Sequence, residues 1–160
     1  MLTNQQYTCL VKKYIDSLFR LALSHTKNPT DAEDVVQNVF LKLLQQKRDF
    51  ESEEHVRNWL IRVTVNECKK WHRSPWRRHL SFEDGCADLP NTTGRDREVL
   101  QAIMDLPVKY RTVIYLYYYE GYSTQQIAQA LGIAKGTVCV RLSRAREMLR
   151  VELQEVEEYA

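Results

Sequence analysis

Apolar residues recur along most of this chain at intervals of three and four, the spacing of one face of an α-helix and not the alternation of a strand. Leu10, Tyr14, Leu18, Leu21 and Ala22 make a first stripe, interrupted at His25-Thr26-Lys27-Asn28-Pro29. Thr30 and Glu33 then have capping-box spacing. Beyond them Val35, Val36, Val39, Phe40, Leu43 and Leu44 mark one face of a second helix of about four turns. Ser52 can cap a third, in which Val56, Trp59, Leu60 and Val63 repeat at helical spacing and which runs to about Arg73, before Pro75. Three such helices can enclose one small core.

Residues 74–94 mix Ser, Pro, Gly, Asp, Asn and Thr without a sustained period and read as an irregular linker. Helical spacing resumes near Arg95 with Val99, Leu100, Ile103 and Leu106. Pro107 suits the first turn of the next helix, which carries Val113, Ile114, Leu116 and Tyr117. The run Val113 to Tyr119 is β-prone in composition, but its spacing and flanks favour helix. The fold expected is therefore all-α: two small helical domains, 1–73 and 95–160, joined by the linker.

The most specific pattern lies at 123–146. Ser123 and Gln126 form another capping box, Ile127, Ala128 and Leu131 follow at helical spacing, and Gly132 can end that helix in a left-handed conformation. Val138, Leu142 and Ala145 are an inward stripe on the next helix, which leaves Lys135, Arg141, Arg144 and Arg146 for other faces. Two short helices about a glycine turn, the second basic, predict a helix-turn-helix that places a recognition helix on DNA. A plain helical hairpin with a solvated basic face is the alternative.

Composition sharpens this reading through the distribution of charge. The net charge is only +2, yet residues 69–79 carry Lys69, Lys70, Arg73, Arg77 and Arg78 with no acid, and the last ten residues carry only acidic charge. No apolar run approaches the roughly 20 residues needed to cross a bilayer, and the N-terminus has no basic segment followed by an apolar core, so no membrane insertion and a cytoplasmic location are expected. Cys9, Cys68, Cys86 and Cys139 lack CxxC spacing and read as reduced thiols, with Cys68 and His72 too few for a structural zinc site. No metal or cofactor is assigned.

Four segments in order, DAEDVVQNVFLKLL at 31–44, RNWLIRVTVNECKKW at 57–71, LPVKYRTVIYLYYYEGYS at 106–123 and RLSRARE at 141–147, give the whole chain a resemblance to the extracytoplasmic-function sigma factors. These are small promoter-recognition subunits of bacterial RNA polymerase. The resemblance implies a subunit without catalytic activity of its own, whose partners are core RNA polymerase and promoter DNA, with an anti-sigma protein as a further candidate. It implies that Asp34, Gln37, Asn38 and Leu41 dock on polymerase, while Phe40 belongs to the core. It also implies that an unstacked base of the −10 element is captured by Phe50, Val63 and Asn66, an apolar cavity with a polar group for the base edge. Lys69, Lys70, Arg73, Arg77 and Arg78 would bind the strand's phosphates, beside Trp59 and Trp71, with Trp59 assigned to packing.

The recognition helix would enter the major groove of the −35 element from its N-terminal end. Arg144 leads as base reader, Lys135 and Thr137 suit phosphates, Arg141 suits either role, and Cys139, Val140 and Ser143 complete the surface. At Cys139 and Val140 the chain departs from the family, which usually has a basic residue and a serine or other polar residue there, so a shifted preference is expected. Tyr115, Tyr117, Tyr118, Tyr119 and Tyr122 read as packing and interface, the exposed ones being candidates for the polymerase flap. Two other classes remain open: an operator-binding regulator that needs no polymerase-docking domain, and a nucleic-acid enzyme using Asp31, Glu33 and Asp34 as metal ligands, which three carboxylates in one helical turn serve poorly.

Overall fold

The computed structural model describes residues 1–74 and 94–159, with side chains to 154. The residues 75–93, including Arg77, Arg78, Cys86 and nearly all of the expected linker, lie outside the described residues. Among those described, every regular element is helical, as the all-α expectation requires: α1 (Asn4–Thr26), α2 (Pro29–Leu44), α3 (Glu53–Arg73), α4 (Gly94–Met104), α5 (Val108–Ile114), α6 (Thr124–Leu131) and α7 (Lys135–Tyr159), with a π-helical turn (Tyr115–Tyr119) extending α5. They fall into two compact units, one carried by α1–α3 and the other by α4–α7. No helix among the described residues is long and apolar enough to cross a membrane.

The first unit closes over a core of Tyr14, Leu18, Ala22, Val35, Val39, Leu43, Val56, Leu60 and Cys68, with Phe50, Trp59 and Val63 partly buried at its margin. Its corner between α1 and α2 is tighter than the sequence predicts. α1 continues through His25 and Thr26, both buried, and ends at Lys27, whose φ of 59° is left-handed. Asn28 then caps α2, its side chain accepting from the backbone N–H groups of Thr30 and Asp31 at 2.9 and 3.2 Å. Thr30 is consequently inside the helix and not its cap. The reason is local: Asn28 precedes Pro29, whose fixed φ and missing N–H suit the first helical position, so the competition for the cap is decided two residues earlier. Ser52 caps α3 as expected, accepting from the His55 N–H at 3.1 Å.

In the second unit, α4 and α5 pack on α7, and Ile103, Leu106, Val113, Ile114, Leu116, Val138, Leu142 and Ala145 are buried. Pro107 stands just before α5 and not within its first turn. The tyrosine run is helical but widened, with the Glu120 N–H donating to the Tyr115 carbonyl at 3.3 Å, five residues back. Ser123 and Gln126 close the expected box, each backbone N–H donating to the other's side chain at 2.9 and 3.1 Å. Gly132 has φ 69°, and the Ile133 N–H reaches the Ala128 carbonyl at 3.1 Å, the crossing bond of a Schellman motif. A side chain at position 132 would sit in the left-handed region, which costs about 1–2 kcal/mol without glycine.

The position of the α2 cap can be tested directly. Asn28→Ala should lower unfolding free energy by about 1 kcal/mol, whereas Thr30→Ala, at an exposed site within the first turn, should change it by less than about 0.5 kcal/mol. Urea unfolding of the two variants measures both.

Candidate nucleic-acid interface

Burial fixes which side of α3 is available. Val56, Leu60, Ile61, Thr64, Val65, Cys68 and Trp71 face inward, which turns Asn66, Lys69, Lys70 and Arg73 to solvent. With Val63 they line an open cavity of about 300 Å³. Lys42 of α2 completes the lining, a residue the sequence pattern missed because its contribution depends on how α2 crosses α3. The cavity thus has an apolar patch, an amide able to donate and accept, and four cations, the combination suited to a base edge and phosphates.

Phe50, assigned by resemblance to the same base pocket, lines a different hollow with Leu10, Ser52 and Val56. Its ring lies edge-on to Trp59 at 5.7 Å and to His55 at 5.2 Å. Val63 and Asn66 are therefore brought together with Lys69, Lys70 and Arg73, and Phe50 is not. Trp59 is half-buried, whereas Trp71 is only 9% exposed and offers no free face for a base to stack on.

Beneath the cationic face lies Glu67, whose side chain is 9% exposed. Its carboxylate accepts a hydrogen bond from the Lys42 ammonium and another from Lys70 at 3.4 Å. Burial pushes the carboxyl up, but the hydrogen bonds and charges of Lys42 and Lys70 outweigh it and hold it below its ordinary 4.5. The same bond to Glu67 raises the Lys42 ammonium. Nothing in the linear pattern distinguishes Glu67 from any solvated helical acid.

The second candidate surface is on α7. Thr137, Val140, Arg141 and Arg144 share one face at i, i+3, i+4 and i+7, beside the stripe of buried Val138, Leu142 and Ala145. With Ala134 and Gly136, and with Lys109 and Tyr110 from α5, they line a cavity of about 510 Å³. Lys109 and Tyr110 were not singled out in the sequence, although a cation beside an aromatic at a helix start was a signal to follow. The Tyr110 ring is buried, and the Arg144 guanidinium beside its hydroxyl, with Lys109 adding to the effect, holds that phenol below the usual tyrosine range. Lys135, Cys139 and Ser143 are exposed on α7 outside this lining, and Val140 is 48% exposed within it.

Arg146 is placed differently from Arg144. Its Nε donates to the Tyr118 hydroxyl at 2.7 Å, and its guanidinium lies 5.4 and 5.5 Å from the Tyr117 and Tyr118 ring centres. The π-helical turn presents those rings, so Arg146 braces the unit. On α2, Asp34, Gln37, Asn38 and Leu41 form one exposed face at i, i+3, i+4 and i+7, with Leu41 52% exposed, while Phe40 is buried. Asp31 is buried and Glu33 and Asp34 are exposed, so the three do not converge. Among the described residues no group of three His, Cys, Asp or Glu is placed to hold a metal ion.

Comparison with known proteins gives two family matches: Sigma-70 region 2 over residues 10–78 and Sigma-70, region 4 over residues 96–149. The ECF RNA polymerase sigma factor SigL of Mycobacterium tuberculosis is 34% identical, the alignment covering 87% of this chain and 84% of SigL. The probable RNA polymerase sigma factor RfaY of Xanthomonas campestris pv. campestris is 32% identical over 93% of this chain, which spans 40% of that protein's length. Among solved structures, the sigma factor RpoE of Bartonella quintana, in complex with the anti-sigma factor NepR, has the same fold, with a TM-score of 0.77, 23% identity and coverage of 92% of this chain and 96% of that one.

The depressed Glu67 pKa has a signed consequence. The stability it contributes is complete above its unfolded value near 4.5 and is lost as pH falls below that toward the folded value. Thermal unfolding should therefore show a steeper loss of stability on acidification through 4.5 in the native chain than in Glu67→Gln, which lacks the titrating group.

Proposed function

Because this chain belongs to the extracytoplasmic-function branch of the sigma-70 family, proteins of promoter-directed transcription initiation, we propose that it is a non-catalytic specificity subunit that reads −35 duplex with α7 and holds −10 single strand with α3. The observation that carries this reading is the pair of cation-lined cavities, one on each unit, each combining an apolar patch with positive charge. A regulator that only grips an operator needs the α7 surface alone. Core polymerase supplies the chemistry, and the protein works in the cytoplasm where that enzyme is.

On α3, Asn66 and Val63 take an unstacked −10 base while Lys69, Lys70 and Arg73 follow the backbone, and Arg77 and Arg78, outside the described residues, are further candidates for its phosphates. Phe50 acts from the neighbouring hollow by setting Trp59 edge-on at the margin of the core. On α7, Arg144 makes the principal base contact from a cavity it shares with Tyr110. Thr137 and Lys135 at the helix start meet phosphate, Arg141 lies between backbone and base, and Val140 meets a thymine methyl. Cys139 and Ser143 flank these contacts. The exposed α2 face of Asp34, Gln37, Asn38 and Leu41 docks on core polymerase, and the RpoE–NepR complex supports an anti-sigma protein as a second partner.

Mixing the purified chain with sigma-free core polymerase and a promoter library tests the whole reading. Core binding and promoter-specific transcripts are expected, and DNA binding without either would establish the operator-binding alternative. With a selected promoter, Arg144→Ala should weaken discrimination at one −35 position by about 1–3 kcal/mol, and a uniform loss across all −35 variants would refute base reading there. Arg146→Ala should instead lower thermal stability with −35 preference unchanged. Asn66→Ala should reduce permanganate reactivity of −10 thymines in the polymerase complex, and unchanged reactivity would remove Asn66 from the strand site.

A further inference from the structure

Glu67 occupies a position where its chemistry is expensive. A carboxylate that is nine-tenths buried loses most of its hydration, and a well-packed apolar residue of similar volume is often equally stable in such a place. Its partners are not core residues. Lys42 and Lys70 stay 43% and 63% exposed and both line the 300 Å³ cavity on α3. The carboxylate therefore lies behind the cavity wall and draws two of the four cations on that wall toward itself, Lys42 from α2 and Lys70 from α3.

We propose that Glu67 is a specificity-determining residue of the strand site, which withholds about one positive charge from single-stranded DNA and fixes Lys42 as part of that site. The inference rests on the strand-binding role given to α3 above. Attraction to a nucleic-acid backbone is independent of sequence and grows with every phosphate neutralised. Four unopposed cations would hold any single strand. With one charge cancelled, Lys69 and Arg73 supply the sequence-independent grip, and the contacts of Val63 and Asn66 decide which base remains. Lys42 and Lys70, tied back but still exposed, give the wall a fixed shape instead of two free ammonium groups on long flexible stems.

Salt dependence separates this role from a merely structural one. The full chain bound to core polymerase is titrated against short labelled single strands, one of mixed sequence and one from the selected promoter's −10 element, at a series of KCl concentrations. Glu67→Gln should steepen the slope of log K against log salt by about 0.7, so that a fourfold rise in salt costs it about 2.6-fold more affinity than the native chain, and should narrow the preference for the −10 strand. Lys42→Gln should make the slope shallower by a similar amount. The double variant Lys42→Gln/Glu67→Gln, which leaves no buried charge unpaired, should return to the native slope even if Glu67→Gln alone proves unstable. Native slopes in both Lys42→Gln and Glu67→Gln, or a double variant that fails to return to the native slope, would overturn the inference. Lys69→Gln/Arg73→Gln distinguishes the two levels of failure. A shallower slope there leaves the strand site in place without Glu67's role, and an unchanged slope removes the site itself.

Discussion

The burial of Leu60, Thr64 and Cys68 beneath α2 and α1 is the constraint from which the first unit's chemistry follows, because it sets the rotation of α3 about its own axis. A helix has one surface to give to the core and another to give away. Once the apolar stripe is committed, Val63, Asn66, Lys70 and Arg73 must emerge together on the far side, since three- and four-residue steps keep to one face. The core thereby determines which cations share a cavity. The same division governs α7, where Val138, Leu142 and Ala145 are turned in, and Thr137, Val140, Arg141 and Arg144 are left outward.

Much of this was legible in the sequence because the relevant interactions are local. The caps Ser52 and Ser123, the left-handed Gly132 and the inward stripes of α3 and α7 depend on residues within one or two turns of each other. The Asn28 cap was misread as Thr30 although it too is local, because two cap-competent residues flank Pro29 and capping-box spacing favoured the wrong one. The π-helical turn left no trace in the pattern, since one additional residue in a turn still reads as helix.

What the sequence left hidden are relations between elements. Lys42 joins the α3 cavity and Glu67 comes to lie between Lys42 and Lys70 only through the crossing of two helices. Tyr110 reaches Arg144 through the packing of α5 on α7, and Phe50 parts company with Asn66 for the same kind of reason. Arg144 and Arg146 look equivalent in a row of arginines. Two residues apart on a helix, they point about 200° apart, and only one faces the open cavity.

The bond from Arg146 to Tyr118 has a mechanical consequence. α7 is 25 residues long, a rod of about 37 Å, and the residues that line its open cavity occupy only the first part of it. A load applied near its distal end would tend to spin such a rod about its long axis and swing Arg144 away from whatever it faces. Tyr117 and Tyr118, carried on the π-helical turn, hold the rod at Arg146, just beyond Arg144, and resist that torsion. The tyrosine run acts as a keyway on the shaft, so that a pull on the far end turns the whole second unit instead of one helix within it.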